Sequence, residues 1–293
     1  MRRVAVLLST IVLALGITTG TATAATVEAT YAAAGPYATT TTTVLSGAYR
    51  LYYPSNYAAL GFASPIVTWG NGTNATPDMY SKLLTQFASY GFTVIASTLT
   101  NTGSGNEIAA GAQYLVTQNG TAGSTFQGHL DVNKVAAVGH SQGAGGATRA
   151  ATNNPTLITT LMTFSLPNTT WVGSNPNCPT AADCMYNPAL LTQPTFLIGT
   201  HGLTDLVIAS PATETAFYNS IPGHAALGLI QNSQGSGADH NTIQDANKPG
   251  GFFGYATAWL EYQLRGDTVA AGAFTGTNPE LVSNTNWPGS AAK

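Results

Sequence analysis

Charged side chains are scarce in this sequence. Asp, Glu, Lys and Arg make up only 7% of its 293 residues, with 9 basic and 12 acidic side chains and no basic run. A nucleic acid or an anionic membrane surface is bound through clustered Lys and Arg, so neither is expected as a partner. A surface with so few charges must present Thr, Ser, Asn, Gln and Gly instead, which suits contact with an uncharged substrate.

Cysteine is almost absent as well. The two present, Cys178 and Cys184, lie six positions apart in a stretch rich in Pro, Asn and Asp. In an exported protein this arrangement predicts a local disulfide that closes a surface loop. The alternative is a metal site, but no His or third Cys lies nearby to complete tetrahedral ligation. We therefore expect no metal and no cofactor.

Long hydrophobic runs are lacking, with one short run at the amino terminus. Arg2 and Arg3 precede an apolar stretch over residues 4–17, and small residues follow up to Ala24. This order predicts a secretory signal peptide over residues 1–24 and a secreted, extracellular protein. The stretch is shorter than the roughly 20 apolar residues that cross a bilayer, and no later segment approaches that length. No membrane insertion is expected.

The remaining 269 residues (293 − 24) suit one α/β domain. Residues 25–47 are dominated by Thr, Ala and Gly and are predicted to be an irregular lead-in, so the single domain would cover residues 48–293. Within it, short apolar runs rich in β-branched residues alternate with longer stretches of helical period. This alternation predicts stacked βαβ units around a mostly parallel sheet.

The predicted elements follow each other regularly along the domain. Strands are expected over residues 49–53, 65–69, 92–97, 134–138, 159–165, 195–200 and 226–231. Helices are expected between them, beginning at Pro77, Glu107, Gln142, Pro211 and Phe253.

The most informative motif follows the predicted strand at residues 134–138. The strand runs directly into Gly139-His140-Ser141-Gln142-Gly143, and a helix of small residues begins at once. This is the G-x-S-x-G nucleophile elbow, in which a strained serine projects its hydroxyl clear of the sheet. The motif predicts Ser141 as a nucleophile and an α/β-hydrolase fold. The alternative is a Gly-rich turn that carries an idle serine.

A serine nucleophile needs a base and an acid, and in this fold they follow the serine in the order acid, then histidine. His240 lies in a Gly-rich loop after the last predicted strand and is the predicted base, whereas His201 and His224 are interpreted as structural. Asp205 follows the end of a strand and is the predicted acid. Asp239 is a weaker candidate, because its side chain and that of the adjacent histidine point apart.

A tetrahedral oxyanion needs two hydrogen-bond donors. One is expected to be the backbone N–H of Gln142, which follows the nucleophile. The other is expected from the Gly-rich loop at residues 70–73, with the N–H of Thr73 as the preferred donor. Gly72 in this loop and His140 beside the nucleophile are predicted to contact substrate. The alternative is that the loop is only a tight turn.

These residues resemble the secreted bacterial polyester hydrolases, which include cutinase-like and polyethylene terephthalate hydrolases, within the broader dienelactone-hydrolase and platelet-activating-factor-acetylhydrolase group. The resemblance runs from about Tyr49 to Leu264 and rests on Ile66-Val67 before the Gly-rich loop, residues 89–95, the elbow, residues 194–198, and the spacing to Asp205 and His240. It implies that Ser141, Asp205 and His240 act as nucleophile, acid and base.

The chain departs from that family at positions that bear on substrate. Thr73 stands where the family usually has an aromatic residue, and Gln142 stands where it has Met. Trp171 lies near, but shifted from, a tryptophan that holds an aromatic or acyl group in the family, and it is predicted to contact substrate. The family's carboxyl-terminal disulfide is absent. No long insertion separates the strands that end at Ser165 and begin at Thr195, so we expect a lidless, open cleft.

The sequence as a whole predicts a secreted serine carboxylic-ester hydrolase, cutinase-like, that forms an acyl-enzyme intermediate. Its expected partner is an ester substrate, with a polymer surface as a candidate, and the expected state is a monomer. Aliphatic polyesters should be better substrates than rigid aromatic ones, because Thr73 and Gln142 offer little apolar stacking surface. Two alternatives stay open: an esterase for small acyl groups on lipid or polysaccharide, and a non-catalytic surface or carbohydrate-binding protein on the same scaffold.

Overall fold

A computed structural model describes residues 26–174, 178 and 180–293. The predicted signal peptide lies outside these residues. The strands are β1 Thr39–Val44, β2 Tyr49–Pro54, β3 Ser64–Gly70, β4 Thr93–Ser97, β5 Leu130–His140, β6 Thr160–Phe164, β7 Thr195–Thr200, β8 Ala225–Ile230, β9 Asn232–Ser233, β10 Ser236–Gly237 and β11 Ala291–Ala292.

Nine of these strands form one sheet, in the order β1-β2-β4-β3-β5-β6-β7-β8-β11. The central pairs from β4 to β8 are parallel. The pairs β1–β2, β2–β4 and β8–β11 are antiparallel and lie towards the two edges. The strands β9 and β10 form a separate small hairpin.

Helices cover both faces of the sheet. They are α1 Val27–Ala32, α2 Ser81–Ser89, α3 Asn106–Gly120, α4 Gln142–Asn153, α5 Leu203–Ile208, α6 Pro211–Ser220, α7 Phe253–Arg265, α8 Thr268–Ala271 and α9 Glu280–Ser283. The helices α2 and α7 pack on one face, and α3, α4 and α6 pack on the other. Among the residues described, no helix is both long enough and apolar enough to cross a membrane.

The central strands are buried on both faces, so each supplies side chains to two cores. In β7, Phe196 belongs to the cluster under α2 and α7, whereas its neighbour Leu197 belongs to the cluster under α3, α4 and α6. Successive side chains of a strand point to opposite faces, which explains why these strands appear as unbroken apolar runs in the sequence. The mostly parallel sheet flanked by helices confirms the predicted α/β-hydrolase fold.

The segment at residues 25–47 differs from its prediction as an irregular lead-in, because it contains α1 and β1. The strand β1 pairs with β2 from Thr39 opposite Pro54 to Val44 opposite Tyr49. Threonine is β-branched and suits an edge strand, but a run of threonines carries no apolar alternation that would reveal it. The strand therefore depends on a partner that the local sequence does not show.

The parallel strands bring their carboxyl ends to one edge of the sheet. The segments that follow β3, β5, β7 and β8 contain Thr73, Ser141, Asp205 and His240 respectively. Ligands of open α/β sheets bind outside the carboxyl ends of the strands, so the fold gathers these four residues where a site is expected.

Candidate active site

Ser141 occupies a strained turn between β5 and α4. Its backbone has φ 53° and ψ −123°, a conformation that a non-glycine residue adopts only when the surroundings enforce it. The turn is tight: a Cβ on Gly139 would lie 2.2 Å from the carbonyl oxygen of Gly143, and a Cβ on Gly143 would lie 2.2 Å from that of Gly70. Both glycines of the motif are therefore required, and the serine hydroxyl is carried to the end of the sheet.

Ser141, His240 and Asp205 form a continuous hydrogen-bonded chain. The Ser141 Oγ atom lies 2.9 Å from His240 Nε2, and His240 Nδ1 lies 2.7 Å from Asp205 Oδ1. All three side chains are buried or nearly so, with Asp205 fully buried. The carboxylate accepts a hydrogen bond from the Nδ1–H group, so the proton stays on Nδ1 and Nε2 is free to accept a hydrogen bond from the serine hydroxyl.

Asp205 lies in the first turn of α5, shortly after the end of β7. Its Oδ2 atom accepts hydrogen bonds from the hydroxyls of Ser165 at 2.8 Å and Thr200 at 2.6 Å. Ser165 directly follows β6, and Thr200 is the last residue of β7. With the histidine bound to Oδ1, the buried carboxylate has partners on both oxygens, so its orientation is fixed.

Asp239 does not reach the imidazole but joins the backbones of Asp205 and His240 through hydrogen bonds. Its Oδ1 atom accepts the N–H groups of Thr204, Asp205 and His240 at 3.0, 3.2 and 2.8 Å, and its Oδ2 atom accepts the Thr204 hydroxyl. Partial burial raises the pKa of Asp239, but these hydrogen bonds outweigh it and lower the pKa overall. The residue is an ionised positioning group.

His140 is placed differently from its prediction as a substrate contact. Its side chain is buried, and Nε2 lies 2.9 Å from the carbonyl oxygen of His240, so Nε2 donates. Nδ1 must then accept, and it takes a hydrogen bond from the Tyr80 hydroxyl at 2.9 Å, which in turn accepts the N–H of Gly72 at 3.1 Å. The chain connects the Gly-rich loop to the backbone of the base.

The charge state of His140 follows from its surroundings. Burial lowers its pKa well below the ordinary value for histidine, and the neighbouring His240 lowers it further. The ring is therefore neutral, in agreement with its one donor and one acceptor contact. Gly72, also predicted to contact substrate, lies behind the cleft against this ring, because a Cβ there would be 2.8 Å from His140 Nδ1.

The two predicted oxyanion donors border the same cleft. Gln142 is the first residue of α4, where backbone N–H groups have no intrahelical acceptor. The N–H of Thr73 has no acceptor among the residues that the structure describes. Both residues line the cleft beside Ser141, and the partial positive charge of the helix start adds to the attraction for an anion.

The Gln142 side chain is fully engaged in holding the loops around the cleft. Its Oε1 atom accepts the N–H groups of Thr102 at 2.8 Å and Gly103 at 3.1 Å. Its Nε2 atom donates to Asn101 Oδ1 at 2.7 Å and to the Thr73 hydroxyl at 3.3 Å. The part of the cleft that Gln142 lines is therefore polar, and it is joined by a hydrogen bond to the Gly-rich loop at residues 70–73.

Another part of the cleft lining is apolar. The cleft has a volume of about 270 Å³, and Pro167, Trp171, Val172, Tyr186 and Ile208 line it. Four of these come from the β6–β7 connection, which is built of short 3-10 turns. The predicted contact residue Trp171 lies at this wall, where its indole N–H donates to the carbonyl oxygen of Val207 at 3.2 Å.

The disulfide between Cys178 and Cys184 is present, as predicted from the sequence. It closes a short loop in the β6–β7 connection, and Cys184 itself lines the cleft. The remaining three histidines do not line the cleft: His129 stacks on Tyr57, His201 contacts the carbonyl oxygen of Pro288, and His224 contacts that of Lys293. Among the described residues no cluster of His, Cys, Asp or Glu is arranged to hold a metal ion.

Glu214 is a buried carboxyl near the site that the sequence does not reveal. Its Oε1 atom accepts the N–H of Leu166 at 2.7 Å, just after β6. Burial raises the pKa of Glu214 well above the ordinary value, and the nearby Asp205 raises it further. No sequence motif identifies Glu214 or Tyr80. Each comes close to the candidate site only when its helix or 3-10 turn packs in the folded protein.

Comparison with known proteins finds a matching family model and several related enzymes. A family model described as PET hydrolase-like matches residues 18–286. Cutinase est2 of Thermobifida alba is 29% identical over 232 residues, which cover 76% of this chain and 66% of that protein. The bis(hydroxyethyl) terephthalate hydrolase of Streptomyces coelicolor is 25% identical over 245 residues, which cover 80% of this chain and 69% of that protein.

A second cutinase, from Thermobifida fusca, is 28% identical over 229 residues, which cover 76% of this chain and 65% of that protein. The chain thus spans about two thirds of the length of these curated relatives. Since the family model covers most of the chain, from before β1 to beyond α9, this protein belongs to the PET hydrolase-like family.

Proposed function

We propose that the protein is a secreted serine carboxylic-ester hydrolase that acts through Ser141, His240 and Asp205. The observation that carries this proposal is the pair of hydrogen bonds at the imidazole, 2.9 Å to the serine hydroxyl and 2.7 Å to the carboxylate. A nucleophile, a base and an orienting acid within hydrogen-bond reach form the arrangement that acyl transfer requires. The elbow, the family and the cutinase relatives support the same reaction.

In the proposed mechanism Ser141 Oγ attacks the ester carbonyl while His240 Nε2 takes its proton. The backbone N–H groups of Gln142 and Thr73 stabilise the tetrahedral oxyanion. His240 then gives the proton to the departing alcohol, which leaves an acyl group on the serine. A water molecule deprotonated by the same imidazole releases the acid. Asp205 keeps the proton on Nδ1 and stabilises the imidazolium throughout.

The proposed substrates are short and medium acyl esters and aliphatic polyesters. Cutinases and a bis(hydroxyethyl) terephthalate hydrolase among the relatives support an ester substrate. The Gln142 side chain lines the cleft together with Trp171 but is engaged in hydrogen bonds and offers no stacking surface, so a rigid aromatic diacid gains less there than a flexible aliphatic chain.

A second candidate is an esterase for small acyl groups without polymer activity. The size of the cleft favours it, because about 270 Å³ lies just below the range of roughly 300 to 1,000 Å³ that is usual for drug-sized ligands. The two candidates share one reaction and differ in the length of the acyl group and in whether a polymer is accepted.

The test is a panel of p-nitrophenyl esters of graded acyl length, run beside films of polycaprolactone and amorphous polyethylene terephthalate. We expect turnover of the short and medium esters, release of soluble acid from polycaprolactone and much slower release from the aromatic film. Ser141→Ala, measured in parallel, should be inactive on all of them. Turnover by that variant at the wild-type rate would refute the proposed function, and turnover of soluble esters alone would favour the small-acyl esterase.

A further inference from the structure

One face of helix α4 runs along the cleft. Ser141 directly precedes α4, and Gly145 and Arg149 lie four and eight residues after the serine. Positions four apart lie on the same side of a helix, so these three residues follow one another along one face. Ser141 and Gly145 both line the cleft. Since a helix rises about 1.5 Å per residue, the cleft follows α4 for about 6 Å away from the nucleophile.

The ring of Tyr186 lies against α4 at Gly145. A Cβ atom on Gly145 would lie 2.6 Å from Tyr186 Cε1, so the ring rests on the helix backbone and leaves no gap beside it. Phe217 of α6 packs edge-on against the same ring, with the ring centroids 6.2 Å apart. Tyr186 lines the cleft and yet is only 6% exposed, whereas Trp171 is 44% exposed. Tyr186 therefore lies at the inner end of the cleft and Trp171 at its mouth.

The ring of Tyr186 is held at its hydroxyl and through the segment that precedes it. The hydroxyl donates a hydrogen bond to the carbonyl oxygen of Pro167, which also lines the cleft. Arg149 Nη1 donates to the carbonyl oxygens of Ala182 and Met185 at 3.0 and 2.6 Å, so this segment is bound to α4. The ring cannot move aside without breaking these contacts, and it forms a fixed end of the cleft.

The space between Ser141 and the ring of Tyr186 is apolar. Val172 and Cys184 line it and are 7% and 4% exposed. The sulfur of Cys184 is bonded in the disulfide, so no thiol faces the space. None of the described residues that line the cleft is charged. We refer to the part of the cleft lined by Gly145, Val172, Cys184 and Tyr186 as the inner cleft. A hydrocarbon chain buries apolar surface there, whereas a charged chain would lose its hydration without gaining a partner.

We propose that Tyr186 is a specificity-determining residue, which closes the inner cleft and limits the length of the acyl group that lies straight along α4. The inference rests on the proposed function, because it assigns the acyl side of the ester to this space. The acyl group stays on Ser141 until water releases it, so it suits a closed end, whereas the alcohol must leave through an open path. The distance from Ser141 to the ring is about one helical turn, roughly 6 Å. A short unbranched acyl group fills it, and a longer chain must bend towards the mouth at Trp171.

The experiment uses isomeric esters and measures binding separately from catalysis. Ethyl hexanoate and hexyl acetate contain the same atoms but carry the long chain on the acyl and the alcohol side respectively. Ethyl butanoate and butyl acetate are the matching short pair. Dissociation constants are measured by NMR titration on the inactive Ser141→Ala protein, alone and combined with Tyr186→Ala, Tyr186→Leu or Tyr186→Phe. The matched control is Tyr218→Ala, because Tyr218 is 7% exposed in the same core but does not line the cleft. Melting curves establish that each variant is folded.

We expect Tyr186→Ala to favour the longer acyl group. The ratio of the dissociation constants of ethyl butanoate and ethyl hexanoate should rise on the order of tenfold over that of Ser141→Ala alone. Tyr186→Leu should raise the same ratio by less, which keeps the test available if the alanine variant does not fold. Tyr186→Phe and Tyr218→Ala should leave this ratio unchanged, because the first keeps the ring and the second alters only the core. The corresponding ratio for the two acetates should be unchanged in every variant.

Three results would overturn the proposal: an unchanged ratio for the ethyl esters in Tyr186→Leu and in folded Tyr186→Ala, an equal shift for the two acetates, or the same shift in Tyr218→Ala. Failure of the proposed function gives a different pattern, because binding is measured on a protein that cannot react. A shifted ratio beside a wild-type protein that turns over no ester would refute the reaction and leave the assignment of Tyr186. Turnover of soluble esters with no shift in the ratio would refute the assignment of Tyr186 alone.

Discussion

The imidazole of His240 is held by groups from several places in the chain. Asp205 binds Nδ1, Ser141 binds Nε2, Asp239 accepts the backbone N–H, and His140 donates to the backbone carbonyl. The orientation of the base therefore does not depend on its own loop alone. A displacement of about 1 Å can cost on the order of 10²-fold in rate, so groups that fix the backbone of His240 matter although they never contact substrate.

Asp205→Asn should lower kcat on a soluble ester by a factor on the order of 10⁴, because an amide favours the wrong imidazole tautomer. Asp239→Asn should cost far less, since an amide oxygen can still accept the three N–H groups at Oδ1. Asp245→Asn is a matched control, because Asp245 also accepts backbone N–H groups but contacts Ser81 and Lys82 instead of the site. Steady-state kinetics of the three variants decide the assignment, and a larger loss in Asp239→Asn would show that Asp205 is not the acid.

At the residue scale, the sequence predicts a candidate site residue where a motif has a fixed order. The elbow identifies Ser141, and the order acid then histidine selects Asp205 and His240. No sequence pattern identifies Tyr80 or the inward orientation of His140, because the hydrogen bond between them joins residues 60 positions apart and forms only when the 3-10 turn that ends at Tyr80 packs near the end of β5. A histidine next to a nucleophile looks the same in sequence whether it faces substrate or the interior.

The helix α6 controls the start of the connection that forms the apolar wall of the cleft. Glu214 in its first turn binds the N–H of Leu166, and its side chain packs against Gly199 of β7. Its second carboxyl oxygen has no hydrogen-bond partner among the described residues. A buried carboxyl in this position is stable only in the neutral form, so its ionisation is coupled to folding.

Glu214→Gln should reduce the dependence of stability on pH. The folded-state pKa of Glu214 is raised above the unfolded value, so its contribution to stability is complete below the unfolded pKa and is lost as pH rises through the folded pKa. An amide cannot ionise, so the variant does not lose this contribution to stability as the pH rises. We expect the fall in Tm from pH 5 to pH 8 to be smaller in Glu214→Gln than in wild type, measured by calorimetry.

The control is Glu107→Gln, at a carboxylate that is only partly buried and accepts a hydrogen bond from the Ser104 hydroxyl. It should keep the pH dependence of the wild type. If Glu214→Gln and Glu107→Gln showed the same fall in Tm, Glu214 would not be the neutral buried group described above.

Elements could be predicted where their pattern is local and strong. The strands β2 to β8 and the helices α2, α3, α4, α6 and α7 begin and end within a few residues of the positions expected from apolar period, Gly and Pro. The strand β1 and the helix α5 have no sequence pattern that predicts them, for two physical reasons. The first is a polar edge strand stabilised by pairing with β2, and the second is a six-residue helix whose exposed leucines have no amphipathic pattern.

At the scale of the whole molecule, the two ends of the described chain are bound to each other. The carboxylate of Glu280 in α9 accepts hydrogen bonds from the backbone N–H groups of Val27 and Glu28 at 2.6 and 2.8 Å. These two N–H groups lie at the start of α1 and have no acceptor within the helix. Glu28 accepts the indole N–H of Trp287 at 2.8 Å. These contacts span more than 250 positions, so no local pattern could predict that the segment before residue 47 is ordered.

Glu280→Ala should destabilise the protein by about 1 to 3 kcal/mol, because it leaves the donors at the start of α1 and the Tyr255 hydroxyl without their acceptor. The kcat/KM for a soluble ester should not change at 25 °C, since α9 contributes no residue to the lining of the cleft. Urea unfolding gives the free energy. Asp78→Ala, at an exposed carboxylate paired with Arg50, should cost less than about 1 kcal/mol. An equal cost in both variants would contradict this description of α1.

The claim on which the whole account depends is that Ser141 is the nucleophile, and covalent labelling tests it most directly. The protein is treated with a fluorophosphonate, digested, and the modified residue identified by mass spectrometry. We predict that the fluorophosphonate modifies one residue of the wild-type protein, Ser141. The Ser141→Ala variant should not be labelled, and His240→Ala should be labelled much more slowly than the wild type. Modification at another serine, or equal labelling of Ser141→Ala, would contradict it.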